Sequence, residues 1–242
     1  MSVAPPPHII NLLLGAVPRQ ERDRVMAHCE LVELHFGKVL CEPDRPFRSL
    51  YFPVSGFISL VTTLGSHRPL ELALIGNEGM LGATQVLGVN SAPSRAVVQG
   101  TGNALRISPL KFREALLECP RLLATLKRYL YVLMVQLSQN IACGHFHEVE
   151  PRLARWLLMS HDRAHSDHLQ LTHEYLSDML GVRRSGVSIA AGALQLRKLI
   201  HYSRGRITIL DRKGLEAAAC ECYEALSDDY ARLLPNKLQA QH

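Results

Sequence analysis

The sequence predicts an α+β chain in three parts: an N-terminal β-roll of jelly-roll type, one long helix, and a helical C-terminal region carrying a helix-turn-helix with a β-hairpin wing. Three observations lead there. Short runs of β-formers, broken by Gly, Pro, Asn and Ser, recur between Leu31 and Ser108. From Pro109 onward the apolar spacing turns helical. The stretch Arg183 to Lys213 holds eight Lys or Arg against one acid, Asp211, so it carries +7 in a chain whose formal charge is +5. The rest of the chain is thus slightly acidic, and the basicity is focused on one place.

With 242 residues and 47% hydrophobic content, the chain is long enough for more than one core and reads as two domains joined by a helix. The expected divisions are 1–118 for the β-roll, 119–146 for the long helix and hinge, and 147–242 for the basic helical domain. The apolar run Ile9 to Val17 is too short for a membrane span, contains Asn11 and lacks a basic leader. A cytoplasmic protein with no membrane partner is expected. Six cysteines without framework spacing fit a reducing compartment, and only Cys220-Glu-Cys222 forms a close pair. A pI near 9.0 suits nucleic acid, although charge alone suits an anionic membrane surface equally.

Element by element, Pro5-Pro6-Pro7 reads as a stiff leader and Pro18 opens a short amphipathic helix. Strands are expected over Leu31–Phe36, Ser49–Phe52, Phe57–Thr63, Glu71–Ile75, Arg95–Val98 and Ala104–Ile107, a spacing that suits a barrel or jelly roll. A helix from about Pro120 to Cys143 carries the stripe Leu126, Leu130, Leu133, Leu137 and Ile141, which is expected to meet its copy across a two-fold axis in a homodimer. An ordinary core helix is the other reading of that stripe. Further helices follow at Glu150–Ser160, from Thr172, and over Arg184–Leu199. A hairpin, Tyr202–Leu210, turns at Arg204-Gly205, and Lys213–Leu234 reads as one last helix.

Two helices joined by a tight turn need a Gly where the backbone leaves the helical basin, apolar residues facing a shared core, and a small residue at the crossing. Gly181 meets the first need, Leu176, Leu180, Val182 and Val187 the second, and Ser177 the third. Thr172 is placed to cap the first helix and is also counted among the DNA-binding residues. Arg183, Arg184, Ser185, Ser188 and Ile189 then face outward at the start of the second. Positive charge there opposes the helix dipole, which favours an anionic partner such as double-stranded DNA. Arg184 is the residue expected to pair with guanine, Ser185 and Ser188 to reach a base edge or phosphate, and Arg183, Arg204 and Arg206 to grip the backbone.

These features together resemble bacterial transcription regulators of the Crp/Fnr family, over about Leu12 to Leu234. The most specific segments are Gly181-Val-Arg-Arg-Ser-Gly-Val187 and Leu199-Ile-His-Tyr-Ser-Arg-Gly-Arg-Ile-Thr-Ile209. The resemblance implies a cyclic-nucleotide-binding-like β-roll, a homodimer, a major-groove recognition helix and contact with RNA polymerase. In the family that helix carries Arg-Glu-x-x-x-Arg. Here Arg184 matches the first Arg, but Ser185 and Ile189 replace the other two, so the usual target sequence is not expected.

Family members that sense cyclic AMP use a Gly-Glu pair for the ribose and an Arg for the phosphate. The corresponding candidates are Gly76, Glu78 and Gly79, then Ser94 and Arg95, with Ser94 standing where the phosphate Arg belongs. Adjacent strand residues face opposite ways, so a structural, chain-turning role for these glycines is the preferred reading. No N-terminal cysteine set for an iron–sulfur cluster is present. Cys143-Gly-His145-Phe-His147 offers soft ligands, but alternate residues converge on one ion only in an extended segment, and hinge residues are the commoner explanation. Cys220 and Cys222, two positions apart on a helix, should point to different faces and serve packing. No metal or cofactor is therefore expected. Nothing in the sequence pairs a nucleophile with a base or forms a Walker loop, so an enzyme is not expected. The alternative is a ligand-binding or catalytic β-barrel with a winged helix used for protein interaction.

Overall fold

The computed structural model describes residues 11–234, so the proline leader lies outside the described residues. Two short helices, α1 (Leu12–Gly15) and α2 (Arg19–Met26), lead into seven strands: β1 (Glu30–Leu34), β2 (Val39–Cys41), β3 (Leu50–Pro53), β4 (Phe57–Thr62), β5 (Leu70–Ile75), β6 (Arg95–Gly100) and β7 (Gly102–Ile107). They pair antiparallel in two sheets, ordered β1-β7-β3 and β2-β6-β4-β5. Leu50, Phe52, Ile58, Ile75, Val98 and Ile107 fill the space between them, which is the expected roll. β2 was not anticipated: only three residues long and bulged against β6, it carries no alternating pattern to read.

After α3 (Pro109–Glu118), α4 (Pro120–Phe146) runs for 27 residues, about 40 Å at 1.5 Å per residue. It divides the expected leucine stripe. Leu126 is wholly inside the roll's core together with Leu122 and Tyr129, while Leu130, Leu133 and Leu137 are half-buried against that core. Ile141, Met134 and Tyr131 remain 76%, 65% and 52% exposed, an apolar outer face that the described residues leave uncovered. The other side of α4 closes the edge strand β5. Asn140 donates to the Leu72 carbonyl at 2.7 Å, and the Gln136 amide bridges the Leu74 N–H and C=O. Such cover satisfies backbone groups that an open edge would leave bare.

The C-terminal unit is built on α5 (Val149–Ala164). One of its faces, Leu153, Ala154, Leu157 and Leu158, forms a second core with α6 (His173–Leu180), α7 (Arg184–Leu196) and α8 (Arg212–Ala218). Three strands, β8 (His168–Gln170), β9 (Ile200–Ser203) and β10 (Arg206–Ile209), form a small antiparallel sheet with β10 in the middle. β8 adds a strand to the expected hairpin. The expected last helix is broken: α8 ends at Ala218, Ala219 is extended, and α9 (Cys222–Leu233) starts afresh. Among the described residues no helix is long and apolar enough to cross a membrane.

The opposite face of α5 is clamped to the roll by buried polar contacts. Glu71 accepts a hydrogen bond from Ser59 at 2.6 Å and from the Trp156 indole at 2.7 Å. Arg163 donates to Glu78 at 2.8 Å, with both side chains almost wholly buried. Burial pushes the Glu71 carboxyl up to about 7, against the two hydrogen bonds that favour its charged form. Stability from the protonated form is complete below the ordinary carboxylate range and is lost as pH rises through 7. Glu71→Gln, which keeps an acceptor for Trp156, is expected to remove this loss. Thermal unfolding across about pH 4.5 to 7 should show wild type falling relative to the variant by on the order of 3 kcal/mol. Parallel curves would exclude Glu71 as the titrating group.

Candidate nucleic-acid interface

Thr172 ends an extended segment and its hydroxyl accepts from the Tyr175 N–H at 3.1 Å, capping α6. The helix closes on Gly181, whose φ of +63° a side chain would strain. Gly181 N–H donates to Asp178 and Val182 N–H to Ser177, a Schellman closure that directs the chain into α7. Arg152 of α5 donates to the Leu180 carbonyl, tying the turn to the helix beneath it. Val187, Ala190, Ala191 and Leu194 face the core. Arg183, Arg184, Ser185, Ser188 and Ile189 are all exposed, as expected.

Ser188 has a local task as well. Its hydroxyl donates to the Arg184 carbonyl at 3.1 Å and meets His173 Nδ1 at 2.9 Å. His173 in turn stacks on Tyr202 of the wing, ring centroids 4.1 Å apart. Burial, and then the Arg184 charge, hold the His173 imidazole below its ordinary range. A neutral ring donating from Nδ1 completes the chain His173, Ser188, Arg184 and fixes the start of α7 against the wing.

The wing turns through Arg204 and Gly205, both at positive φ (48° and 76°), the backbone pattern of a type I′ hairpin. Ile207 and Ile209 of β10 point into the core. On the outer face His168, His201, Ser203, Arg204, Arg206 and Thr208 line a groove of about 430 Å³. Within the basic stretch, Arg197 is paired with Glu150 and Arg212 with Asp162 and Glu216. Among the described residues, Arg183, Arg184, Arg204 and Arg206 take part in no ion pair, and all four are exposed. The structure thus brings together on one exposed unit the arginines expected to meet an anion.

The candidate effector residues are dispersed. Glu78 is taken up by Arg163 and by the Gly76 N–H. A side chain at Gly76 would collide with Arg163 and Glu78, and one at Gly79 with the Tyr129 hydroxyl, so both glycines permit close packing. Arg95 is exposed beside Glu42, 3.5 Å away. Only Ser94 lines the cavity between the roll and α4, with Cys41, Leu60, Ile75, Met80 and Leu133 among its neighbours. That cavity is apolar and about 30 Å³, against roughly 300–1,000 Å³ for pockets that hold small-molecule ligands.

Comparison with known proteins adds identity to this geometry. The model of the Crp-like helix-turn-helix domain matches residues 151–218, and that of the cyclic nucleotide-binding domain matches residues 31–119. The chain belongs to the Crp/Fnr family of transcription regulators. It is 26% identical over 196 residues to the global nitrogen regulator of Synechococcus elongatus, covering 77% of this chain and 88% of that protein. A Crp/Fnr-family regulator of Thermus thermophilus superposes with a TM-score of 0.64 at 22% identity, over 81% of this chain and 98% of that one. The c-di-GMP-responsive global regulator CLP of Xanthomonas campestris gives 0.64 at 17%, over 79% and 99%. At such identities the two structures speak for the fold alone.

Sequence reasoning missed Arg152, His173 and Tyr202, because their partners lie on other elements and no local spacing marks them. For Thr172 the cap is the role the structure supports. Thr172→Ala should lower unfolding stability by about 1 kcal/mol, measured with denaturant; an unchanged midpoint would remove the hydroxyl from the helix start.

Proposed function

We propose that this Crp/Fnr regulator is a homodimer that binds a near-palindromic duplex site, with α7 in the major groove. What supports the reading most is the set of four exposed arginines at the start of α7 and on the wing, without an ion pair among the described residues, in a stretch whose other arginines are neutralised internally. Arg184 reads guanine, while Arg183, Arg204 and Arg206 grip phosphates on either side. The exposed Tyr131, Met134 and Ile141 of α4 meet their copies across the two-fold axis, placing two recognition helices about 34 Å apart. Contact of the bound dimer with RNA polymerase, and the lack of a catalytic task, belong to the same reading; its relatives are regulators.

Fragments recovered by selection on the purified protein supply the specific site. On it, Arg184→Ala is expected to cost about 1–3 kcal/mol, with much less lost on unrelated duplex. Equal losses on both would reduce Arg184 to a phosphate contact. Arg206→Ala should weaken both duplexes alike and lower the slope of log affinity against log salt by about one. Separately, the double variant Met134→Glu, Ile141→Glu should sediment as a monomer. If it stays dimeric, the contact lies elsewhere.

A further inference from the structure

Two cysteine-bearing segments that the regulator function does not use converge at the junction of α4, α5 and α9. Cys143 and His147 are one helical turn apart at the end of α4, so they share a face, and His145 between them is exposed. The objection that alternate residues converge only in an extended segment is thereby corrected: helical i, i+4 spacing brings Cys143 and His147 together and leaves His145 out. The expectation that Cys220 and Cys222 diverge is corrected too. Helix α9 begins between them, so the opposite-face rule does not apply.

The Sγ atoms of Cys143, Cys220 and Cys222 and a ring nitrogen of His147 all lie within 4.8 Å of one another. Cys143 and Cys220 are 3.6 Å apart, and Cys222 is 3.6 Å from His147 Nδ1. Tetrahedral zinc, with Zn–S near 2.3 Å and Zn–N near 2.0–2.1 Å, has ligand–ligand edges of about 3.5–3.8 Å. We propose that Cys143, His147, Cys220 and Cys222 form a Cys₃His site for one structural zinc ion. All four lie outside both matched family segments, which end at 119 and resume at 151, and end again at 218.

The surroundings suit a metal. His147 Nε2 is 3.1 Å from the Glu221 carboxylate, which orients the ring and leaves Nδ1 facing the thiols, the usual support of a metal-binding histidine. Gln139 donates to Cys222 Sγ at 2.9 Å. Three thiolates around a divalent ion leave one net negative charge. Buried Arg155, whose Nε finds no hydrogen-bond partner, lies where its charge acts on Cys143. All three cysteines are buried, and four protein ligands leave no open position, so the ion is structural. A cubane cluster would spread its cysteines over several irons, farther apart than this, and a disulfide would need sulfurs at about 2.05 Å. The ion would join the end of α4 to the start of α9, closing the chain around the whole DNA-binding unit.

The test is metal analysis of the full chain purified under reducing conditions without added metal. About one zinc per chain is expected. Cys220→Ser and His147→Ala should reduce it at least about tenfold, His147→Cys should retain it, and His145→Ala should leave it unchanged. Where a variant fails to fold, wild-type zinc X-ray absorption decides, with three sulfurs and one nitrogen expected. No metal, or iron with visible absorbance, overturns the proposal. So does a Cys143–Cys220 disulfide found by mass spectrometry in the reduced preparation.

Discussion

The placement of the recognition helix depends on the buried polar clamp between α5 and the β-roll. Helix α5 is shared: Leu153, Ala154, Leu157 and Leu158 belong to the core of the DNA-binding unit, while Trp156 and Arg163 reach Glu71 and Glu78 on the other side. Because α7 and α8 pack directly on α5, fixing α5 on the roll fixes them as well. The turn after α6 reinforces this, with Asp178 paired to Arg68 at 3.2 Å and Gly181 lying over Leu70. Buried ion pairs contribute little net stability against apolar packing, but losing one partner is costly. They therefore specify an arrangement more than they strengthen it.

The same clamp engages the residues of the cyclic-nucleotide outline. Glu78 sits in the turn that also carries Gly76 and Gly79, and every part of that turn is engaged within the chain. The Asn77 carbonyl accepts from Leu12, the Gly79 carbonyl accepts from Asn11 at 2.7 Å, and Glu78 holds Arg163. The turn joins α1, α4 and α5 to the roll. A carboxylate committed to a buried guanidinium is not free to hold a ribose, and the neighbouring cavity has room for about one water.

What could be read from the sequence was whatever local periodicity and turn chemistry determine. Six of the seven strands of the roll, the long helix, Thr172 as a cap, Gly181 at the turn and Arg204-Gly205 in the wing all follow from residues near them in sequence. Partners distant in sequence could not be read: Trp156 on Glu71 spans 85 positions, and Cys143 with Cys220 spans 77. The helix break at Ala219 to Glu221 carries no Pro or Gly, so no breaker signal marked it. One error followed from another there, since the assumption of a continuous helix is what separated Cys220 from Cys222. The leucine stripe was legible as apolar but not as divided, because a single-chain pattern does not say which neighbour covers which face.

The recognition surface itself departs from its family in a chemically consistent direction. Where the family pattern has a Glu, which accepts from cytosine N4, this chain has Ser185, a shorter group able to donate or accept. Where the pattern has a second Arg, it has Ile189, which is 74% exposed. An exposed isoleucine on the helix proposed to enter the major groove offers apolar contact in place of hydrogen-bonding capacity, and the apolar feature of that groove is the thymine methyl. In the proposed complex Arg184 thus keeps one guanine contact, while the positions next to it favour thymine and tolerate more than one base at Ser185. The clamp and the His173–Ser188 chain hold the frame of α7 independently of these side chains, so in the proposed complex base preference can differ without any movement of the scaffold.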